Sequence, residues 1–362
     1  MQIKTWIINR SSASFVAVTL AAGLTVAANE LAAQDNGEIN ALIWCDHADP
    51  ALLEPFEEEH GVTVNVKEYE GTGTALALLE QSQPGDWDVF VVDGVDVPRV
   101  VEAGYLAPLN ADDFPIDDIF PGLAESEIHW IDGNIYAVPE KFGYNTISFN
   151  SANVDAGDMR HVDVLWADTY DGRIAIYDYY IPVITMVAIG LGLMDDGVIS
   201  EDELPAIREK LLAMKDRSAM VGEVVAVQTA IATGDVDIIA GGGEWVTAVL
   251  ASEDPNMDWV MPDEGGVRWS QSIGVFADSQ NPEMATKFVQ YILSPEGQAR
   301  LATSSCYWAM PANTKAALDD DQKAILRWDE QNGFIENSHP YFIPDADMDA
   351  KFLEIWTEML QH

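Results

Sequence analysis

Residues 39–94 read INALIWCDHADPALLEPFEEEHGVTVNVKEYEGTGTALALLEQSQPGDWDVFVVDG. The runs INALIWC (39–45) and DVFVV (88–92) are almost wholly apolar, as strands covered on both faces are. VTVNVKEY at 62–69 alternates, which predicts a strand with one exposed face. Between the first two strands, Leu52, Leu53 and Phe56 share one face of a helix over 50–60. A second helix is expected over 75–81, with a threonine of Gly71-Thr72-Gly73-Thr74 as its N-cap. Strand, helix, strand, helix, strand is the order of an α/β doubly wound layer. Ligands of such sheets sit beyond the carboxyl ends of the strands. That rule gathers residues 44–47, 71–74 and 93–96 around one crevice.

Working outward, the same alternation recurs. RIAIY (173–177), VDIIA (236–240) and SIGVFA (272–277) predict strands. Helical spacing marks 203–214, a helix ending at Gly234, 283–293 and 349–360. The apolar run from Pro182 to Met194 is too short to span a bilayer and reads as a buried helix, with proline in its first turn. Gly241-Gly242-Gly243 lets backbone approach a neighbour closely.

The chain has 362 residues, 48% of them hydrophobic, enough for two cores. Its net charge of −43 leaves too few cations to neutralise nucleic-acid phosphates. A folded, acid-coated surface of the salt-adapted kind is expected. Lys4 and Arg10 precede an apolar stretch from Phe15 to Ala28, and Leu31-Ala32-Ala33 is a cleavage site, with Val26-Ala27-Ala28 as the alternative. Residues 1–33 therefore read as an export signal, and the mature chain as periplasmic. No cysteine stands at that junction to carry a lipid anchor. Cys45 and Cys306 leave two options open, a disulfide or two partly buried thiols. Neither an H-E-x-x-H nor a G-x-S-x-G pattern is present, so an enzyme, a resident metal and a cofactor are not expected. The acids from Asp195-Asp196 to Glu203 lack calcium-loop spacing.

The ordered series of segments resembles the spermidine/putrescine-type solute-binding proteins of ABC importers. The residues that carry the resemblance are 43–71, DWDVFVVDG at 86–94, Leu106 to Leu109, YAVPEKFGYNTISFN at 136–150, VLWADTYDGRIAI at 164–176, and 261–302. The resemblance implies a two-lobed periplasmic-binding-protein fold of type II, with two doubly wound domains joined by a two-segment hinge. Lobe 1 would comprise 38–144 and 268–317, and lobe 2 would comprise 145–267 and 318–362. It implies a monomer that closes on a solute and docks on a membrane permease.

In that family one tryptophan after the first strand and another after a Glu-Gly-Gly turn pack on the ligand. Here those are Trp44 and Trp269. An aromatic face attracts an ammonium. The family's carboxylates are missing, since Tyr179, Pro182 and Gln271 stand where they are expected, and Gly241 replaces a further tryptophan. Asp93 falls where the family has a small hydroxyl residue, and Asp46 and Glu244 are further acidic candidates. Tyr144, Tyr179, Tyr180 and Trp245 are candidate aromatic walls, and His47 takes an aromatic position. Arg268 is a candidate clamp for a ligand carboxylate or a partner of one of the many acids. The expected ligand is a small amine: polyamine-like, methylated or zwitterionic. The paired Tyr179-Tyr180 keep a ferric ion as the alternative, and Gly71 to Thr74 keep a small anion.

Overall fold

The computed structural model describes residues 37–69, 71–124, 126–194 and 197–362. The export signal read in 1–33 and the Asp195-Asp196 pair lie outside the described residues.

The first half is laid down as β1 (Glu38–Ile43), α1 (Pro50–His60), β2 (Thr63–Glu68), α2 (Thr72–Leu79) and β3 (Val89–Asp93). β1 runs parallel to both β2 and β3, the doubly wound arrangement expected. Asp49 caps α1 by accepting from Ala51 N, and Gly61 ends it at φ 63°. α2 departs from the reading: it begins at Thr72, its N-cap is Gly71 at φ 71°, and no side chain caps it. Both threonines stand inside its first turn, where a hydroxyl cannot serve as the cap.

β4 (Ala137–Asn150) follows, fourteen residues long and buried throughout. Sequence periodicity gives no sign of it, because Glu140 and Lys141 interrupt the apolar pattern at its middle. Next come β5 (Ile174–Tyr177), α3 (Tyr180–Gly190), α4 (Leu204–Arg217), β6 (Ser218–Gly222), α5 (Val224–Thr233), β7 (Ile238–Gly242), α6 (Glu244–Ala251) and β8 (Met257–Val260). β7 starts two residues later than its apolar run, since Asp237 is tied back to Arg173 by an ion pair at 2.6 Å. β9 (Val267–Val275), α7 (Pro282–Leu293), α8 (Pro295–Ala302) and α9 (Ala346–Gln361) complete the main elements. The long sheet runs β2-β1-β3-β9-β4-β7-β5-β6, and β4 and β9 pair antiparallel at its centre.

Apolar side chains on either side of these central strands gather separately. Ile43, Phe56, Val91, Phe288 and Leu301 belong to one core, and Ile176, Val187, Leu211, Ile238 and Phe352 to another. Leu318 and Leu326 are buried in the first core, whereas Ile355 and Trp356 of α9 are buried in the second. Among the described residues no helix is long and apolar enough to cross a membrane.

The glycine run does what its composition implies. Gly241 adopts φ +81°, and a Cβ on Gly243 would lie 2.0 Å from the Tyr144 carbonyl oxygen of β4. Gly143 is as tightly held, with a Cβ there falling 1.8 Å from Glu244 Oε1 and 2.5 Å from Trp269 Cζ2. Gly143→Ala is therefore expected to destabilise the fold by about 2 kcal/mol. An unchanged urea midpoint would show that the helix and the indole yield freely.

Candidate functional site

A cavity opens where strands from both halves end. Trp44 follows β1, Asp93 closes β3 and Tyr177 closes β5, so three walls come from carboxyl ends of strands. Tyr179 precedes α3, while Val224 and Trp245 stand in the first turns of α5 and α6. β9 contributes Trp269 and Gln271, and β4 contributes Asn145. Tyr307 and Tyr341 close the remainder.

Three tryptophans and four tyrosines thus surround one charged lining side chain, Asp93. Gln271 faces Asp93 across the sheet in register, and its Nε2 reaches Asp93 Oδ1 at 3.5 Å. Burial, reinforced by the neighbouring charge of Asp96 and opposed by that amide, pushes the Asp93 carboxyl up to about 7. Gln271 Oε1 and Trp245 Nε1 are buried there without a hydrogen-bond partner. The wall is thus apolar in area, negative at one point, and supplied with a spare acceptor and a spare donor. Asn145 is engaged, donating from Nδ2 to the Gly241 carbonyl at 3.1 Å.

Of the twelve candidate residues, six line this cavity: Trp44, Asp93, Tyr179, Trp245, Trp269 and Gln271. The other six are placed elsewhere, each for a definite reason. Tyr144 is one residue from Asn145 on β4, and successive side chains of a strand face opposite ways. Its ring stacks on Trp259 with centroids 5.9 Å apart, and its hydroxyl donates to Gln331 Oε1 at 2.9 Å. Arg268 likewise precedes Trp269 on β9, and its guanidinium donates to the Ile335 carbonyl at 2.7 Å and to Ser338 Oγ at 3.2 Å. Tyr180 donates its hydroxyl to Asp349 at 2.5 Å. Glu244 is fully buried at the start of α6, accepts from Tyr144 N at 3.2 Å, and is held well above the usual carboxylate range by burial. Asp46 and His47 are sealed from water, the first against Lys141 and the second 2.8 Å from the Glu140 carboxylate.

Five lining residues were not anticipated: Asn145, Tyr177, Val224, Tyr307 and Tyr341. Tyr177 ends the predicted strand RIAIY, so the carboxyl-end rule already pointed to it. Tyr307 adjoins Cys306, which forms a disulfide with Cys45 beside Trp44. Tyr341 belongs to an irregular segment with no periodic signal.

Known proteins resemble this chain in sequence and in fold. The chain is 24% identical over 325 residues to spermidine/putrescine-binding periplasmic protein 1 of Haemophilus influenzae, covering 85% of this chain and 86% of the relative. The substrate-binding protein PotD of the spermidine/putrescine ABC transporter of Streptococcus pneumoniae superposes with a TM-score of 0.77 at 19% identity, covering 90% of this chain and 99% of that one. A structure described as the Atu4243-GABA receptor gives 0.70 at 19% identity, covering 90% and 97%. The bacterial extracellular solute-binding protein family matches residues 51–326. This chain therefore belongs to that family, with the periplasmic-binding-protein fold, and is a solute-capturing component of an ABC importer, not an enzyme.

Proposed function

We propose that the cavity captures a small solute with one ammonium group, a methylated or simple amine or the amine end of a zwitterion. One observation carries this reading: a single carboxylate, Asp93, set in a wall of three tryptophans and four tyrosines. An aromatic face contributes about 0.5–2 kcal/mol to a desolvated cation. Asp93 supplies the counter-charge that a buried ammonium requires. Relatives named for spermidine and putrescine suit an amine of some kind.

Neither rival gains support. Tyr180 is turned onto Asp349, so Tyr179-Tyr180 do not present two phenols to one ferric ion. An anion would meet Asp93, and the turn at Gly71 to Thr74 is not part of the cavity wall.

The mature chain acts as a periplasmic monomer after loss of an export signal. Two lobes hinge about β4 and β9, with crossings near 144/145 and 267/268. The last crossing, expected at 317/318, is proposed instead after residue 336, since Leu318 and Leu326 are buried in the first core and Phe334 and Ile335 pack against it. Ligand bound to one lobe recruits the other and shifts the population toward the closed form that the permease accepts.

A thermal-shift screen at pH 8 over amines, betaines, amino acids and ferric ion tests this. A true ligand at a hundred times its dissociation constant adds about 2.7 kcal/mol of stability. Shifts from ferric ion or anions with none from amines would end the reading. Trp269→Ala is expected to weaken binding at least tenfold by calorimetry, and an unchanged affinity would remove the indole from the site.

A further inference from the structure

β4 carries two charged residues through the centre of the sheet, and Glu140 is the extra residue where its pairing with β9 skips from Lys141 to Pro139. Glu140, Lys141, Asp46 and His47 are all 0% exposed. His47 bridges the two carboxylates, with Nδ1 3.0 Å from Asp46 Oδ1 and Nε2 2.8 Å from Glu140. Lys141 Nζ contacts the other oxygen of Asp46 and donates to the Tyr307 hydroxyl at 2.9 Å. It also stands 4.8 Å from the Tyr307 ring centroid. Tyr307 is a cavity wall, and Asp46 follows two residues after Trp44, another wall. A second carboxylate thus lies just behind the lining, and its charge is taken up by the protein's own ammonium.

Resting on the amine reading above, we infer that Lys141 determines ligand charge: it holds the place a second ligand cation would need, so the cavity accepts one positive charge and rejects two. A dication would pair one end with Asp93. Its other end would find no free carboxylate in the lining, and an unpaired ammonium among aromatic rings is costly to bury. Burial pulls the Lys141 amine well below its usual range, and its contact with Asp46 is what keeps its positive charge. Removing that charge leaves Asp46 seeking a cation beside a wall that has gained the space of the lysine amine.

The test compares butylamine with 1,4-diaminobutane by calorimetry at pH 8, on the native chain, on Lys141→Met and on Lys141→Met/Asp46→Asn. The native chain is expected to bind the diamine no more tightly than the monoamine. Lys141→Met is expected to favour the diamine at least tenfold. The double variant, lacking both charges, is expected to lose that preference. Should Lys141→Met be unfolded without ligand, the diamine restores its thermal transition and butylamine does not. A native chain that already prefers the diamine tenfold overturns the inference. So does a folded Lys141→Met with the native ratio, or an unfolded one that neither amine rescues. If the native chain binds butylamine while Lys141→Met keeps the native ratio, only this inference falls. A native chain that binds neither amine overturns the inference, and the amine reading falls too if the thermal-shift screen finds no amine, betaine or amino acid.

Discussion

Asp93→Asn binds amines at least a hundredfold more weakly than the native chain at pH 8, and yet is the more stable of the two without ligand. Both effects come from one carboxylate held among aromatic rings. With its ionisation raised from the ordinary 3.8 to about 7, the empty site keeps a proton that the unfolded chain has already released. The folded state therefore binds this proton more tightly. Its contribution to stability is present below the unfolded value of 3.8 and is lost as pH rises through about 7. A tenfold difference in proton affinity between the two states corresponds to about 1.4 kcal/mol, and partial exposure of Asp93 reduces the whole to about 2 kcal/mol at pH 8. Asparagine carries no such cost, so its advantage shrinks as pH falls toward 5. Binding runs the other way. A cation needs the ionised form, so native affinity drops about tenfold between pH 8 and pH 6, with uptake of the amine releasing a proton. Calorimetry at pH 6 and 8 in buffers of differing ionisation enthalpy reads both quantities. A native affinity independent of pH, or an Asp93→Asn protein that binds amines as well as the native chain, would dissociate Asp93 from the ligand.

Opening the Cys45–Cys306 disulfide is expected to lower the melting temperature by about 5–8 °C and to weaken the ligand about tenfold. The bridge joins residues 261 apart. Closing so long a loop removes about 5 kcal/mol of chain entropy from the unfolded state in the simplest treatment. For a chain of this size that corresponds to a shift of several degrees. The loss of affinity has a local origin. Cys45 adjoins Trp44 and Cys306 adjoins Tyr307, so the bridge holds two cavity walls, from distant parts of the chain, at a set separation. Pre-organised walls spare the ligand the cost of ordering them. Scanning calorimetry with and without reductant, beside the Cys45→Ser/Cys306→Ser double variant, checks both effects. The variant should match the reduced native chain and ignore reductant. Equal melting temperatures for all samples would show that the bridge adds nothing.

The site residues legible in the sequence and those hidden from it divide along a physical line. Trp44 and Asp93 are legible because each stands at the carboxyl end of an apolar strand, and strand ends of a parallel sheet converge whatever surrounds them. Tyr144 is the natural aromatic candidate on its strand, yet Asn145 lines the cavity, and a displacement of one residue reverses the face. β4 itself is hidden, since its buried Glu140 and Lys141 imitate a surface segment until their partners are known. Asp46 and His47 look available for a ligand, and tertiary structure commits both to Lys141 and Glu140.

Local pattern alone determined the order of strands and helices from β1 to β3 and the crevice at the strand ends, while the central β4 escaped it. Each of these follows from residues within a few positions of one another, where periodicity and turn chemistry act. The pairing of Cys45 with Cys306, the burial that raises Asp93, and the exclusion of Arg268, Tyr180 and Glu244 from the cavity were decided only by the folded chain. They depend on which distant side chains reach one another and which are cut off from water, and no local stretch of sequence carries that.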